Sequence, residues 1–156
     1  MRRPLLLAVT LVLTGALSAH GDGMPRKRGP LLAWLKAGRY ADTFTCEPAA
    51  RASHTVHGAY VRTCYNPALV QALRGGALPF PKGVAMVKEL YGNGTATIEG
   101  YSTMAKVRRR SGAGGQGWFW FETLDARNPI ASGRGVPVCA GCHVQGVDFL
   151  QSSFRP

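Results

Sequence analysis

Apolar and polar positions in the first half of the chain change period several times, and each change marks a predicted element. Residues 29–44 (GPLLAWLKAGRYADTF) carry apolar side chains at helical spacing behind a proline, which predicts a short amphipathic helix. Residues 57–67 (HGAYVRTCYNP) alternate β-forming side chains and end at Asn-Pro, which predicts a strand and a turn. Residues 67–76 (PALVQALRGG) begin with proline and end with two glycines, an asymmetry typical of a short helix.

Strand patterns dominate the second half of the chain. Residues 84–92 (VAMVKELYG), 95–107 (TATIEGYSTMAKV) and 117–124 (GWFWFETL) are rich in aromatic and branched side chains, and glycine-rich or basic turns separate them. The order is helix, strand, helix and then several strands with hairpin-like connections. This order predicts an α+β fold, mainly an antiparallel β-sheet with a few short helices.

Lys88 lies on an apolar face of its predicted strand. Because side chains alternate between the two faces of a strand, Val84, Met86 and Leu90 share the face of Lys88. One interpretation is an edge lysine whose stem lies on apolar surface while its ammonium reaches water. The other is a desolvated amine beside a cofactor, with a lowered pKa and a raised nucleophilicity. The periodicity alone favours neither.

The N-terminal residues indicate export. Two arginines precede an apolar run over residues 5–17, which is too short for a membrane anchor of about 20 apolar residues and is followed by small residues. We assign residues 1–21 to a signal peptide, 22–53 to a basic arm and N-terminal helix, and 54–156 to the main domain. The mature protein is therefore expected in a bacterial-type periplasm, without a membrane span, where thiols are usually oxidised or occupied.

The chain is strongly basic, with 19 Lys and Arg residues against 8 Asp and Glu residues. In an exported protein this charge favours an acidic redox partner, the envelope surface or simple solubility over nucleic-acid binding. The basic residues cluster in MPRKRGP, after the predicted signal peptide, and in KVRRRSGAGGQG at residues 106–117. We expect a solvated arm and a flexible, glycine-rich hairpin loop.

Cys139, Cys142 and His143 form a Cys-x-x-Cys-His motif near the C-terminal end. A c-type haem needs two thiols that reach its vinyl groups and an imidazole that reaches its iron. A zinc site needs two further ligands at matching spacing, and a thioredoxin-like redox pair is expected early in a βαβ unit. The motif therefore favours a C-terminal attachment segment for one covalently bound haem c, with His143 on the iron, and leaves the zinc site and the redox pair as alternatives.

The sixth position of such an iron has three candidate ligands, Met104, His54 and His57. No methionine follows His143, although small electron-transfer cytochromes supply one there. We therefore favour an open or water-occupied iron, which suits ligand binding or chemistry better than plain electron transfer.

Cys46 and Cys64 are the other cysteines of the chain. In an oxidising compartment we favour a disulfide between them, worth about 3 kcal/mol in the chain-entropy picture, over two separate thiols.

Five motifs follow one another over about residues 54–154 of the main domain: HGAYVRTCYNP, LPFPKGVAMVKELYG, TMAKV, GWFWFE and VCAGCHVQGVDFL. In this order and at these separations they resemble the cytochrome P-460 and cytochrome c′-beta family of periplasmic haem proteins. The resemblance implies a largely antiparallel β fold and a homodimer. In the P-460 members a lysine of the VKEL strand is bonded to the haem, and Lys88 occupies that position. Those members oxidise hydroxylamine at a five-coordinate iron, whereas the c′-beta members lack the bond and bind nitric oxide or carbon monoxide.

Two further features bear on the choice between these activities. Arg62 lies on the strand that matches the family's Arg-x-Tyr stretch, and it is a candidate either for hydrogen bonding to a bound ligand or for a surface or propionate-pairing role. Residues 126–138 contain no carboxylate, although an active member is expected to have a base there. Lys88 favours a hydroxylamine-oxidising enzyme, this loop favours a nitric-oxide-binding protein, and a periplasmic electron carrier is a third hypothesis.

Overall fold

The computed structural model describes residues 23–125 and 127–154, so the predicted signal peptide lies outside the described residues. The elements in chain order are α1 (Arg28–Lys36), β1 (Thr45–Cys46), β2 (Arg51–Thr55), β3 (Gly58–Tyr65), α2 (Pro67–Gly75), β4 (Ala85–Tyr91), β5 (Ile98–Lys106), β6 (Trp118–Thr123), β7 (Pro129–Arg134) and α3 (Pro137–His143). The predicted α+β class with a mainly antiparallel sheet is confirmed. Within the described ranges, no helix is long and apolar enough to cross a membrane.

All seven strands of the described chain belong to one antiparallel sheet. Its order is β1-β3-β4-β5-β6-β7, and β2 also pairs with β3. The register places Lys88 opposite Thr63 on one side and Ser102 on the other. Ser102 in turn lies opposite Glu122. Since directly opposed residues share a face, Lys88 and Glu122 lie on the same face of the sheet with Ser102 between them.

Each face of the sheet carries its own hydrophobic core. The N-terminal segment covers one face and packs Leu31, Leu35, Tyr40 and Phe44 against β4, β5 and β6. Helix α2, the loop around Phe80 and the C-terminal segment pack on the other face. The strand alternation predicted for β4 is confirmed, because Ala85 and Val87 belong to the first core and Met86 to the second.

Helix α2 forms where its sequence signals predicted it. The Asn66 side chain accepts a hydrogen bond from the Leu69 backbone N–H at 2.9 Å, and Pro67 occupies the first turn. Gly76 ends the helix in a left-handed conformation. This end of β3 is thereby fixed, because Asn66 directly follows the strand.

The remaining differences lie at edges and ends. The helix predicted over residues 29–44 ends at Lys36, and turns follow it with Gly38 at a φ of 64°. Strands β2 and β7 were not predicted, because their sequences, RASHT and PIASGR, are polar or contain proline and glycine. Both are mostly exposed edge strands, which need only one hydrogen-bonded neighbour and little apolar surface.

Candidate functional site

A cavity of about 260 Å³ lies on the face of the sheet that carries Lys88. It is bounded by β4, β5, β6 and β7, by the β2–β3 turn and by helix α3. Its polar lining includes Lys88, His57, Glu122, Cys139, Cys142 and His143, and its larger apolar lining residues are Val56, Met86, Met104, Trp120, Phe121, Leu124, Ile130 and Val138. The structure therefore brings the Cys-x-x-Cys-His motif and the unusual lysine into one apolar cavity.

Helix α3 carries the motif. Pro137 occupies its first turn, and the helix ends at His143, which is buried. The His143 Nδ1 atom lies 2.9 Å from the Phe149 carbonyl oxygen. Because a carbonyl only accepts hydrogen bonds, this contact requires Nδ1 to carry the hydrogen, which leaves the Nε2 lone pair available to a metal.

The environment of His143 favours its neutral imidazole. Burial lowers its pKa, and Lys88 and His57 lower it further, against the opposing effect of the Phe149 hydrogen bond and Glu122. Neutral imidazole is the form that ligates metals.

Cys139 and Cys142 are free thiols in the structure, one half-buried and the other exposed. Burial, together with the charges of Glu122 and Cys142, raises the pKa of Cys139 to about 11. A thioredoxin-like redox pair requires the opposite, a lowered thiol pKa. In the part of the chain that the structure describes, no three His, Cys, Asp or Glu side chains are arranged to hold a metal ion.

Lys88 is half-buried and lines the largely apolar cavity. Burial lowers its pKa, an effect that the nearby Glu122 carboxylate partly opposes. Within the described residues the amine has no hydrogen-bond or ion-pair partner. Of the two interpretations drawn from the periodicity, this environment matches the desolvated amine rather than an edge lysine with its ammonium in water.

His57 and Glu122 form a second polar pair in the cavity. Thr55 pairs with Gly58 across a two-residue turn, and the φ of 117° at Gly58 suits glycine, so the turn presents His57 to the cavity. The His57 Nδ1 atom lies 2.6 Å from Glu122 Oε1. The His57 ring centroid lies 6.2 Å from that of His143.

The sequence motifs alone do not indicate this pair, because they lead us to expect a carboxylate in residues 126–138 and His57 only as a candidate iron ligand. The available signal was the alternation in WFWFET, which places Glu122 on the same strand face as Trp118 and Trp120. Like Lys88 on β4, Glu122 on β6 is an ionisable side chain on an apolar strand face, and this pattern marks it as a candidate site residue.

The structure does not bring Arg62 to the cavity. Arg62 lies opposite Glu89 and therefore faces the other side of the sheet from Lys88. Its Nε atom donates to the Glu47 carbonyl oxygen at 2.8 Å, and its guanidinium lies 3.5 Å from a Glu89 carboxylate oxygen. Glu89 also accepts hydrogen bonds from Tyr40 and Tyr91, so Arg62 belongs to a separate polar cluster.

Of the candidate sixth ligands of the iron, some line the cavity and one does not. Met104 is buried and lines the cavity, as does His57, whereas His54 is exposed on β2 and does not line it. Cys46 and Cys64 form a disulfide where β1 pairs with β3, which confirms the favoured pairing.

The cavity suits a large apolar group that also has polar edges. The Trp120 indole N–H is buried and, within the described part of the chain, has no hydrogen-bond partner. At the rim, Val56, Ile130 and Val138 are 79%, 64% and 69% exposed. An occupant that covered these side chains would remove the cost of exposing their apolar surface to water. If it also offered a hydrogen-bond acceptor to Trp120, it would remove the cost of the unpaired indole N–H. A haem with its apolar ring and propionates has that chemistry, so the residues present fit the group.

The chain matches no protein-family model, and no curated protein is significantly similar to it. The family resemblance therefore stays a prediction from the motifs.

Proposed function

We propose that this protein is an exported mono-haem c-type cytochrome of the P-460 class that oxidises hydroxylamine. The observation that carries the proposal is the meeting of Lys88 with Cys139, Cys142 and His143 in one apolar cavity. When bound there, the haem iron would supply the electron-accepting centre for a small nitrogen substrate.

Helix α3 would attach the group. The Cys139 and Cys142 thiols would form the thioether bonds to its vinyl groups. His143 is suited to bind the iron through Nε2, because the Phe149 carbonyl holds its Nδ1 hydrogen. This second-shell hydrogen bond would fix the ring orientation and increase the basicity of the ligand.

Lys88 would lie at the edge of the macrocycle or be bonded to it. Burial favours its neutral amine, which is the nucleophilic form. Formation of a nitrogen–carbon bond would replace one N–H and one ring C–H bond. The two electrons and two protons that leave must pass to an oxidant of the peroxide class, which would be reduced to water.

Glu122 and His57 would accept and transfer the protons that the reaction releases. Oxidation of hydroxylamine removes protons together with electrons, so a base near the substrate increases the rate. The Glu122 carboxylate lines the cavity and is hydrogen-bonded to His57, which is only partly buried. This pair would accept a proton inside the cavity and pass it toward solvent.

A second candidate function is the binding of nitric oxide or carbon monoxide without turnover, as in the c′-beta members. The apolar lining favours it, since Met86, Met104, Trp120 and Phe121 offer no charge to a polar substrate. Electron transfer as the sole function is the third candidate. In each case the basic surface would attract an acidic redox partner in the periplasm, and the resemblance implies a homodimer.

The proposal is tested by producing the full chain in a host with c-type haem maturation and measuring hydroxylamine-dependent reduction of an electron acceptor. We expect one covalently bound haem per chain and catalytic turnover. Lys88→Met should keep the haem and lose most of the turnover, whereas the exposed Lys82→Met control should keep both. A haem-bearing chain that binds nitric oxide but does not consume hydroxylamine would support the second function instead.

A further inference from the structure

A buried ion pair joins the end of β5 to the segment that follows the Cys-x-x-Cys-His motif. Lys106, at the end of β5, is buried, and its Nζ atom lies 2.5 Å from Asp148 Oδ2 and 4.7 Å from the centre of the Trp118 ring. Asp148 also accepts hydrogen bonds from the Ser111 hydroxyl and, at 2.8 Å, from the Phe80 backbone N–H. The Asp148 carboxylate is thus held from three directions.

The backbone at this point is strained. Asp148 and Phe149 have φ values of 49° and 69°, a left-handed conformation that side chains other than glycine rarely adopt. This conformation places the Phe149 carbonyl oxygen 2.9 Å from His143 Nδ1. Strained backbone persists only where surrounding contacts hold it, and the contacts of the Asp148 carboxylate supply that restraint.

The basic loop over residues 107–117 takes part in the same structure. Its Ser111 hydroxyl contacts both Lys106 and Asp148 and accepts a hydrogen bond from the Trp118 indole at 3.1 Å. Gly115 has a φ of 67°, and a Cβ atom there would lie 3.1 Å from the Ala140 Cβ and 3.2 Å from a Phe149 ring carbon. The loop therefore packs on helix α3 and on Phe149, whereas the sequence predicted a flexible hairpin.

We propose that Lys106 and Asp148 are positioning residues that hold the Phe149 carbonyl on His143 and so keep the hydrogen of that imidazole on Nδ1. The ion pair fixes the strained turn, the turn aims the carbonyl, and the carbonyl leaves Nε2 free as the ligating atom. The part of this inference that concerns iron ligation by Nε2 rests on the proposed function. The part that concerns the His143 tautomer does not depend on haem.

The first test uses the full chain made without haem and reads the His143 ring nitrogens by ¹⁵N NMR at neutral pH. We expect the wild type to hold the hydrogen on Nδ1. Asp148→Asn, which keeps the side-chain size but removes the charge, and Lys106→Met should shift His143 toward a mixture of tautomers. The control is Glu89→Gln, which neutralises a buried carboxylate on the opposite face of the sheet and should leave the His143 signals unchanged.

The second test uses the haem-bearing chain and reads the iron–histidine stretching band of the ferrous protein by resonance Raman spectroscopy. Loss of the hydrogen bond that His143 Nδ1–H donates to the Phe149 carbonyl oxygen makes the imidazole a weaker electron donor to the iron, so Asp148→Asn should move this band to lower frequency while haem content stays at the wild-type level. If Asp148→Asn does not fold, Ser111→Ala removes one contact of the carboxylate and should produce a smaller shift in the same direction.

The outcomes separate the two proposals. A chain that never binds haem but shows the tautomer change in Asp148→Asn would reject the proposed function and support the positioning role. Unchanged His143 nitrogen signals in folded Asp148→Asn or Ser111→Ala would overturn the positioning role, whatever the haem content.

Discussion

The His57 Nδ1 atom lies 2.6 Å from Glu122 Oε1, and the two side chains share their cavity with Lys88 and the Cys-x-x-Cys-His motif. They reach it from different elements, His57 from the β2–β3 turn and Glu122 from strand β6. A base therefore stands beside the predicted haem position, although residues 126–138 contain no carboxylate. This relationship is the main structural reason to favour hydroxylamine oxidation over ligand binding alone.

Glu122→Gln should retain haem but lower hydroxylamine turnover about 100-fold, the effect expected from loss of a positioned base. The amide keeps the size of the side chain and can still bond to His57, but it cannot take up a proton. The measurement is kcat over a range of pH, with the exposed Glu99→Gln as the matched control. Wild-type turnover in Glu122→Gln would remove this carboxylate from the mechanism.

Lys88→Met should stabilise the haem-free chain. Burial lowers the pKa of Lys88, so between that lowered value and the ordinary value of about 10.4 the unfolded chain binds a proton that the folded chain does not. Burial of the Lys88 ammonium therefore lowers the free energy of unfolding of the wild type at neutral pH. This free energy increases as the pH rises through this window. We expect the variant to be more stable by ~1 kcal/mol at neutral pH in urea unfolding, with a smaller difference in alkali. A destabilised variant at neutral pH would contradict this burial argument.

The haem-free chain should lose stability in mild acid through His143. Burial lowers the pKa of this imidazole, so below its ordinary value of about 6.5 the unfolded chain takes up a proton before the folded chain does. Stability is then complete above that pH and falls as the pH drops. His143→Gln should flatten the dependence in urea unfolding measured at several pH values, whereas the exposed His54→Gln should retain it. An unchanged slope in His143→Gln would assign the acid sensitivity to other groups.

The disulfide between Cys46 and Cys64 closes a short loop, with the two cysteines 18 residues apart. Replacement of both by serine should lower the free energy of unfolding by about 3 kcal/mol. The comparison is best made by urea unfolding in a Cys139→Ser/Cys142→Ser background, so that free thiols cannot exchange with the bridge. Recovery of both cysteines as free thiols by peptide mapping without reduction would show that the bridge is absent.

The sequence predicted the parts of this structure that depend on local pattern. The signals at Asn66 and Gly76 define α2, and the alternation in β4 places Lys88 on the face of Met86. The register in which the strands pair could not be predicted from local sequence pattern. Arg62 is a candidate site residue because it lies on the strand that matches the family's Arg-x-Tyr stretch, but its pairing with Glu89 rather than with Lys88 turns it to the opposite face. A one-residue difference in register decides which face a side chain occupies.

Glu122 illustrates the same limit from the other direction. Its apolar strand face was visible in WFWFET, yet its proximity to Lys88 depends on the pairing of both residues with Ser102. The contact with His57 depends further on a turn that lies 65 positions away in the chain. Such contacts follow from the assembled sheet and not from any local sequence signal.

The most direct test of the central claim is the absorption spectrum of the reduced wild-type protein, made in a host with c-type haem maturation. We expect a covalently bound haem whose Soret band lies far to the red of an ordinary high-spin haem c, because Lys88 modifies the macrocycle. The band should return to the ordinary position in Lys88→Met. A wild-type protein with an ordinary high-spin ferrous spectrum would contradict the Lys88 bond and favour a nitric-oxide-binding protein, and a protein without haem would contradict the whole assignment.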